Sequence, residues 1–218
     1  MTVNKKIGKL ERGTRNEKRE TMSEICAIIL AAGESRRMKV PKMLLPFHGK
    51  TIIETVIDNV RSSKADYTVV VLGSDKEKIL EATGQLPVIH CYNENYRQGM
   101  LSSVICGLRS LPETCEAVLV ILGDQPGIGP AVIDEVIDAY RKSGKGIIIP
   151  VYKNRHGHPL LVDRKYREEI EKLDPDDGLR YLSRKFPEDI IEVEIKDPAI
   201  LKDIDTQEDY LNELKQFN

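Results

Sequence analysis

The run Ile25-Cys26-Ala27-Ile28-Ile29 is apolar without a break. It passes directly into Leu30-Ala31-Ala32-Gly33-Glu34-Ser35-Arg36-Arg37-Met38, with Pro41-Lys42 close behind. An unbroken apolar run of this length predicts a strand covered on both faces, the strand type of parallel α/β sheets. Its exit constrains the chain as much as its body. Small residues at the end of a buried strand let backbone N–H groups approach phosphate oxygens and a base, while Arg37 and Lys42 add positive charge. The Gly-x-x-x-x-Gly-Lys-Ser/Thr spacing is absent, which argues against a P-loop ATPase. A glycine after a strand is also an ordinary turn, and loop arginines and lysines are usually solvated, so the segment needs support from further along the chain.

The alternation begun there continues. Thr51 can cap a helix whose apolar residues Ile52, Ile53, Val56, Ile57 and Val60 fall at helical spacing, with Glu54 at the capping-box position. Residues 67–72 read as a second buried strand, and Ser74 as the cap of a short helix to about residue 82. Strands at 87–91, 117–122 and 146–149 alternate with helices at 100–111 and 130–142. Such alternation predicts an α/β fold: three layers, a mainly parallel open sheet of Rossmann-like type with helices on both faces. After Pro150 the pattern loosens. A loop at Gly157-His158-Pro159, a strand or bulge at 160–162, short helices at 166–172 and 177–184, a strand at 190–195 and a closing helix at 206–216 follow. We read this half as an extension over the sheet edge that forms the second wall of a cleft, within one domain spanning 25–218.

The chain has 218 residues, with 33 Lys+Arg against 35 Asp+Glu and a formal net charge of −2. That balance argues against coating nucleic acid or a membrane by bulk charge. The apolar runs are too short to span a bilayer, and no apolar h-region follows the basic first residues, so a cytoplasmic location is expected. Residues 1–24 carry many charges and almost no large apolar groups, which predicts a flexible N-terminal extension; Met22, just before the fold, is a candidate true start. Cys26, Cys91, Cys106 and Cys115 show no zinc-ligand spacing and read as reduced cysteines.

Four downstream segments carry chemistry. Asp124 follows the buried run 118–122, at the carboxyl end of a central strand, where open α/β sheets bind ligands. A carboxylate there can hold Mg²⁺ together with substrate phosphates; Asp124-Gln125-Pro126-Gly127 is equally good turn chemistry. Gly99, Ser102 and Ser103 precede a helix, where they can read a base edge or simply end a loop and cap the helix. His158 and its loop can face an anionic or heterocyclic second substrate, although a lone loop histidine is more often a surface residue. In Asp203-Ile204-Asp205-Thr206, Asp205 reads first as the N-cap of the last helix; the second reading has Asp203 or Asp205 approach the metal.

Together these segments resemble the molybdenum cofactor nucleotidyltransferases, most closely the cytidylyltransferase branch. The likeness rests on Leu30–Met38 with Lys42–Pro46, then Gly99-Met100-Leu101-Ser102-Ser103, Gly123-Asp124-Gln125-Pro126, Gly157-His158-Pro159, Asp177-Gly178-x-Arg180 and Asp203-Ile204-Asp205-Thr206, in that order. It implies the nucleotide-diphospho-sugar transferase-like fold and the reaction of CTP with molybdenum-molybdopterin to give a cytosine dinucleotide and pyrophosphate. By the same likeness, catalysis falls to Lys42, Arg37 and Asp124, and nucleotide binding to Leu30, Ala31, Ala32, Gly33, Ser35, Gly99, Ser102 and Ser103. Acceptor binding falls to Gly157, His158, Pro159 and Arg180, and a Mg²⁺ or Mn²⁺ ion to Asp124 and, secondarily, Asp205. Residues 25–150 become the nucleotide-binding half and 151–218 the acceptor-side half. The family's glycine after Met38 is Lys39 here, and no role is carried over to Arg155. Ala32, where the guanylyl branch has Gly, favours CTP by narrowing the base pocket. A molybdoenzyme or maturation chaperone is compatible as a partner. Rival readings are a GTP-using molybdopterin enzyme, a CTP-using sugar or alcohol phosphate enzyme of the same fold, and a non-catalytic cofactor carrier or insertion chaperone.

Overall fold

The computed structural model describes residues 24–38, 40–175 and 177–216. The expectations for the N-terminal extension, Met22 and Lys39 lie outside the described residues, apart from Glu24, which opens the first strand. In chain order the elements are β1 (Glu24–Ala31), β2 (Pro46–Phe47), β3 (Lys50–Thr51), α1 (Ile52–Arg61), β4 (Tyr67–Leu72), α2 (Lys76–Thr83), β5 (Ile89–Tyr92) and α3 (Met100–Arg109). There follow β6 (Cys115–Leu122), α4 (Pro130–Ser143), β7 (Ile147–Tyr152), β8 (Arg155–His156), β9 (Leu160–Asp163), α5 (Arg167–Glu171), α6 (Arg180–Lys185), β10 (Ile190–Glu194) and α7 (Gln207–Gln216).

The main sheet runs β10-β7-β9-β6-β1-β4-β5, with β8 paired to β7. β6, β1, β4 and β5 are parallel, as are β7 and β10; β9 is antiparallel to both of its neighbours. β1 lies at the centre because all seven of its apolar residues are buried, and they divide by parity between the two faces. Ile25, Ala27 and Ile29 face a layer holding Ile53, Val56 and Ile57 of α1 with Ile133 and Ile137 of α4. Cys26 and Ile28 face the opposite layer, with Leu101, Val104 and Leu108 of α3. That period of two against a helical stripe on each side makes the three layers. Thr51 caps α1 through the expected box with Glu54. No described helix is long and apolar enough to cross a membrane.

Two expectations are corrected. The second half does not extend over the sheet edge, because β9 is inserted between β6 and β7 inside the sheet, where Leu161 and Val162 are buried on opposite faces. Ser74 is not a cap; α2 starts after Asp75, and Ser74 Oγ donates to the Gly33 carbonyl at 2.9 Å. The cysteines are free, with Cys91 and Cys106 in contact across β5 and α3.

Candidate active site

The parallel strands β1 and β6 end side by side, and their carboxyl ends open into a cleft of ≈ 590 Å³. Residues 32–37, just after β1, form one wall. Their backbone runs against the end of β4, where a Cβ on Gly73 would lie 2.3 Å from the Ala32 carbonyl oxygen, so only glycine fits. Ser35 takes a left-handed conformation (φ 49°), and its Oγ accepts the Lys42 N–H at 3.2 Å, folding the loop back toward β1. A Cβ at Gly33 would meet nothing within 4 Å. The fold thus leaves open space there, as a bound ring or phosphate requires.

Lys42 stands at the centre. Pro41 precedes a short 3₁₀ turn that buries the lysine to 8 % exposure, and its Nζ donates to Asp124 Oδ2 at 2.6 Å and to Asp205 Oδ1 at 2.9 Å. Burial opposes the charge on Lys42, but Asp124 and then Asp205 outweigh it and hold the ammonium above the ordinary lysine value. Asp205 is likewise partly buried; Lys42 and Arg37 outweigh that and hold its carboxyl below the usual range. Arg37, largely exposed, donates to Asp205 Oδ2 at 2.8 Å. Asp205 is therefore a site residue and not a helix cap. Thr206 and Asp209 do the capping, with Asp209 Oδ2 accepting the Thr206 N–H and Thr206 Oγ1 accepting the Asp209 N–H. The C-terminal segment reaches the cleft because the Ile204 N–H donates to the Asp124 carbonyl, and because Ile204 and Tyr210 pack on Phe47 and Ile52.

Sequence reasoning missed three charged lining groups, Glu34, Arg36 and Arg97. Glu34 gathers Arg36 and Arg97, and the two guanidiniums keep its carboxyl below its ordinary range. Asp203, at the rim, accepts from Gln125 at 2.6 Å, while burial and the Asp124 charge push its carboxyl up. Glu34 and Arg97 lie inside segments whose local signals, a loop and a helix start, conceal a contact 63 residues apart.

The cleft brings together Leu30, Ala32, Gly33, Ser35, Arg37, Lys42, Gly99, Ser103, Asp124 and Asp205 of the expected set. Ala31 is buried under it, in the sheet core. Ser102 does not line it: its hydroxyl donates to the carbonyls of Asn95 and Gly99, closing the loop before α3. Gly99 holds φ 99°, a region that favours glycine, and is itself the N-cap of α3. Gly157, His158, Pro159 and Arg180 lie outside this cavity. The His158 N–H bonds the Ile200 carbonyl, and its Nδ1 lies 3.3 Å from the Val120 carbonyl; burial pushes the imidazole below its ordinary range. His158 is thus a half-buried group beside the strand end, not a surface residue. The charges of Asp203, Asp124 and Arg180 reach it, which places it next to the cleft and not in it.

Four acidic groups (Glu34, Asp124, Asp203, Asp205) and four basic ones (Arg36, Arg37, Lys42, Arg97) line the cleft, for a net formal charge of zero. Each base is already paired with one of those acids. A nucleoside triphosphate entering here displaces carboxylates from cations, and those carboxylates then need a counter-charge. A divalent cation meets that need, and two carboxylates plus phosphate oxygens suit Mg²⁺ or Mn²⁺. The residues present fit such an ion at Asp124 and Asp205. Among the described residues no group of three or more His, Cys, Asp or Glu forms a complete metal site, so substrate oxygens would have to finish the coordination.

A cleft at the carboxyl ends of parallel strands, floored by small residues and ringed by exchangeable cation–carboxylate pairs, defines a nucleotidyltransferase enzyme acting on small molecules. The chain belongs to the family described as the MobA-like NTP transferase domain, whose model matches residues 27–190. It is 29% identical to the molybdenum cofactor cytidylyltransferase of Escherichia coli over 202 residues, covering 90% of this chain and 98% of that one. It is 26% identical over 193 residues to the nicotine blue oxidoreductase of Paenarthrobacter nicotinovorans, covering 84% and 93%. Among solved structures it is similar to Rv0371c of Mycobacterium tuberculosis, at TM-score 0.80, 26% identity and coverage of 90% and 100%. A manganese complex of the same protein matches at TM-score 0.76 and 26% identity, covering 89% and 100%. The fold is thereby the nucleotide-diphospho-sugar transferase-like one expected from the sequence.

Proposed function

We propose that this enzyme joins CMP from CTP to the terminal phosphate of molybdenum-molybdopterin, releasing pyrophosphate. The observation that carries the reading is Lys42, buried between Asp124 and Asp205 at the end of β1 and β6. The acceptor phosphate is already an anion, so the reaction needs two anions held together and their charge neutralised, with no general base. Lys42 and Arg37 would exchange Asp205 for phosphate oxygens, keeping their charge at the point where negative charge builds on the α-phosphate and the leaving pyrophosphate. Asp124 and Asp205 would hold the Mg²⁺ or Mn²⁺ ion, which when bound supplies further neutralisation of the same phosphates. Residues 30–33 would seat the base, and the Ala32 methyl narrows that seat toward a pyrimidine. Residues 25–150 would then serve the nucleotide. The half 151–218 would serve the pterin, with His158 and Arg180 beside the strand end. We place the enzyme in the cytoplasm, where a molybdoenzyme or its maturation factor would receive the product.

The likeness to the cytidylyltransferase of Escherichia coli over nearly its full length supports this substrate pair. Pyrophosphate release by the purified protein with Mg²⁺ and molybdenum-molybdopterin, compared between CTP and GTP, tests it. CTP-dependent release is expected; equal or preferred use of GTP overturns the choice of base, and release with sugar or polyol phosphates in place of the pterin overturns the acceptor.

A further inference from the structure

Asn93 is 4 % exposed and follows β5, where its own N–H donates to the Leu72 carbonyl. Its amide orientation is fixed without ambiguity. The backbone N–H of Asn95, which can only donate, points at Asn93 Oδ1 from 2.9 Å, so that atom is the oxygen and the other is the NH₂. The NH₂ then donates to Ser102 Oγ at 2.8 Å and to Ser103 Oγ at 3.0 Å. Each serine oxygen therefore acts as an acceptor toward Asn93, and each hydroxyl hydrogen must point elsewhere. Ser102 sends its hydrogen to the carbonyls of Gly99 and Asn95. Ser103 is also 4 % exposed and lines the cleft, and among the described residues nothing accepts its hydrogen. A buried hydroxyl hydrogen without an acceptor is costly unless a ligand supplies one.

We infer that Asn93 is a positioning residue that fixes Ser103 as a hydrogen-bond donor into the cleft, so that this point selects a base edge presenting an acceptor, such as a ring carbonyl or unprotonated ring nitrogen. This rests on the nucleotidyl-transfer reading above and deepens it. Asn93 touches no substrate; it acts by occupying one of the two Ser103 lone pairs and turning the hydroxyl hydrogen away from itself. Replacing its NH₂ with a carboxylate oxygen reverses the arrangement, because Ser103 then donates to that oxygen and turns a lone pair toward the base acceptor.

A double-mutant cycle tests this, read as equilibrium dissociation constants for CTP, for GTP and for ribose 5′-triphosphate, which has no base. Asn93→Asp keeps the acceptor for the Asn95 N–H and is expected to weaken CTP binding about 10-fold; Ser103→Ala weakens it about 3- to 10-fold. In the Ser103→Ala background Asn93→Asp should add less than about 2-fold, because the group it acts through is gone. Ribose 5′-triphosphate should bind all variants alike. If Asn93→Asp does not fold, Asn93→Ala carries the same cycle. Additive losses, or equal losses for the triphosphate without a base, overturn the positioning role while leaving the cytidylyl reading intact. Preference of the wild type for GTP with a non-additive cycle on GTP overturns the choice of CTP and keeps the positioning role. A wild type that binds neither nucleotide overturns both.

Discussion

The two ends of the sheet each carry a charged hollow, and the one we propose as the site is the smaller. At the amino ends of the parallel strands, a groove of ≈ 880 Å³ runs past Cys115, Asp163 and Tyr166. Its cations are matched mostly one to one: Arg164 with Glu113, Lys165 with Asp189, Lys172 with Glu168. These pairs are at least partly open to water, where an ion pair contributes little and is replaced by solvent at small cost. At the carboxyl ends the hollow is smaller, but one lysine with a side chain 10% exposed serves two carboxylates, and Asp205 serves two cations. Shared partners have to be redistributed when an anion arrives. The contrast teaches that shared pairing under burial, and not volume, sets the carboxyl end apart.

Removing the shared cation should have the largest effect. Lys42→Met is expected to lower kcat by about 10²- to 10³-fold, the loss typical of one preorganised electrostatic donor. Turnover within tenfold of the wild type would erase the distinction between the two ends. Next comes Asp205→Asn, which removes one of the two carboxylates offered to the ion; half-maximal activity should require at least about 10-fold more Mg²⁺. An unchanged metal dependence would make Asp205 a partner of Lys42 and Arg37 alone.

The pH dependence sharpens the contrast without mutation. Asp205 is held below its ordinary value, so its contribution to stability is present above the unfolded-state value of about 3.9 and disappears as pH falls through the lower folded value. Lys42 is held above its ordinary value, so its contribution is present below about 10.4 and disappears as pH rises through the higher folded value. Carboxyl-carbon NMR should show Asp205 titrating below the usual aspartate range in the wild type and moving upward in Lys42→Met. An ordinary midpoint in both proteins would show that the pair does not form in solution. The smallest effect belongs to the other end. Arg164→Ala should leave kcat and KM within about twofold and lower Tm by no more than about 4 °C, the scale of an exposed pair. A tenfold loss of activity there would make the amino-end groove functional.

Much of this was legible in the sequence because it is written in local periods. Seven apolar residues in β1 alternate between two faces, and Thr51 and Glu54 announce α1 by themselves. Lys42 and Asp124 were found because each directly follows a buried strand or its loop. Two short polar residues were misassigned for one physical reason. Ser74 and Asp205 both stand near helix starts, where local chemistry favours capping. Ser74 instead meets Gly33, and Asp205 meets Lys42 163 positions away. Ser102 closes its own loop, leaving Ser103 to face the cleft. The insertion of β9 was hidden for a related reason: strand order is set by pairing between distant segments, which a strand of four residues, three of them apolar, does not encode.

β9 returns antiparallel to β7, so the chain between them leaves and re-enters the sheet at the same end. Between them it turns at Lys153-Asn154 into β8, which pairs back on β7, before Gly157-His158-Pro159 leads into β9. The hairpin tip at residues 153–154 is exposed and pairs with no central strand, so lengthening it leaves the register of β6, β1, β4 and β5 untouched. Residues in the loop after β1, by contrast, are tied at once to β4, to Lys42 and to the C-terminal segment, and have little freedom to vary. A scaffold arranged in this way can vary one hairpin tip while the strand ends around Lys42 stay fixed, an economy of change that follows from the direction of one short strand.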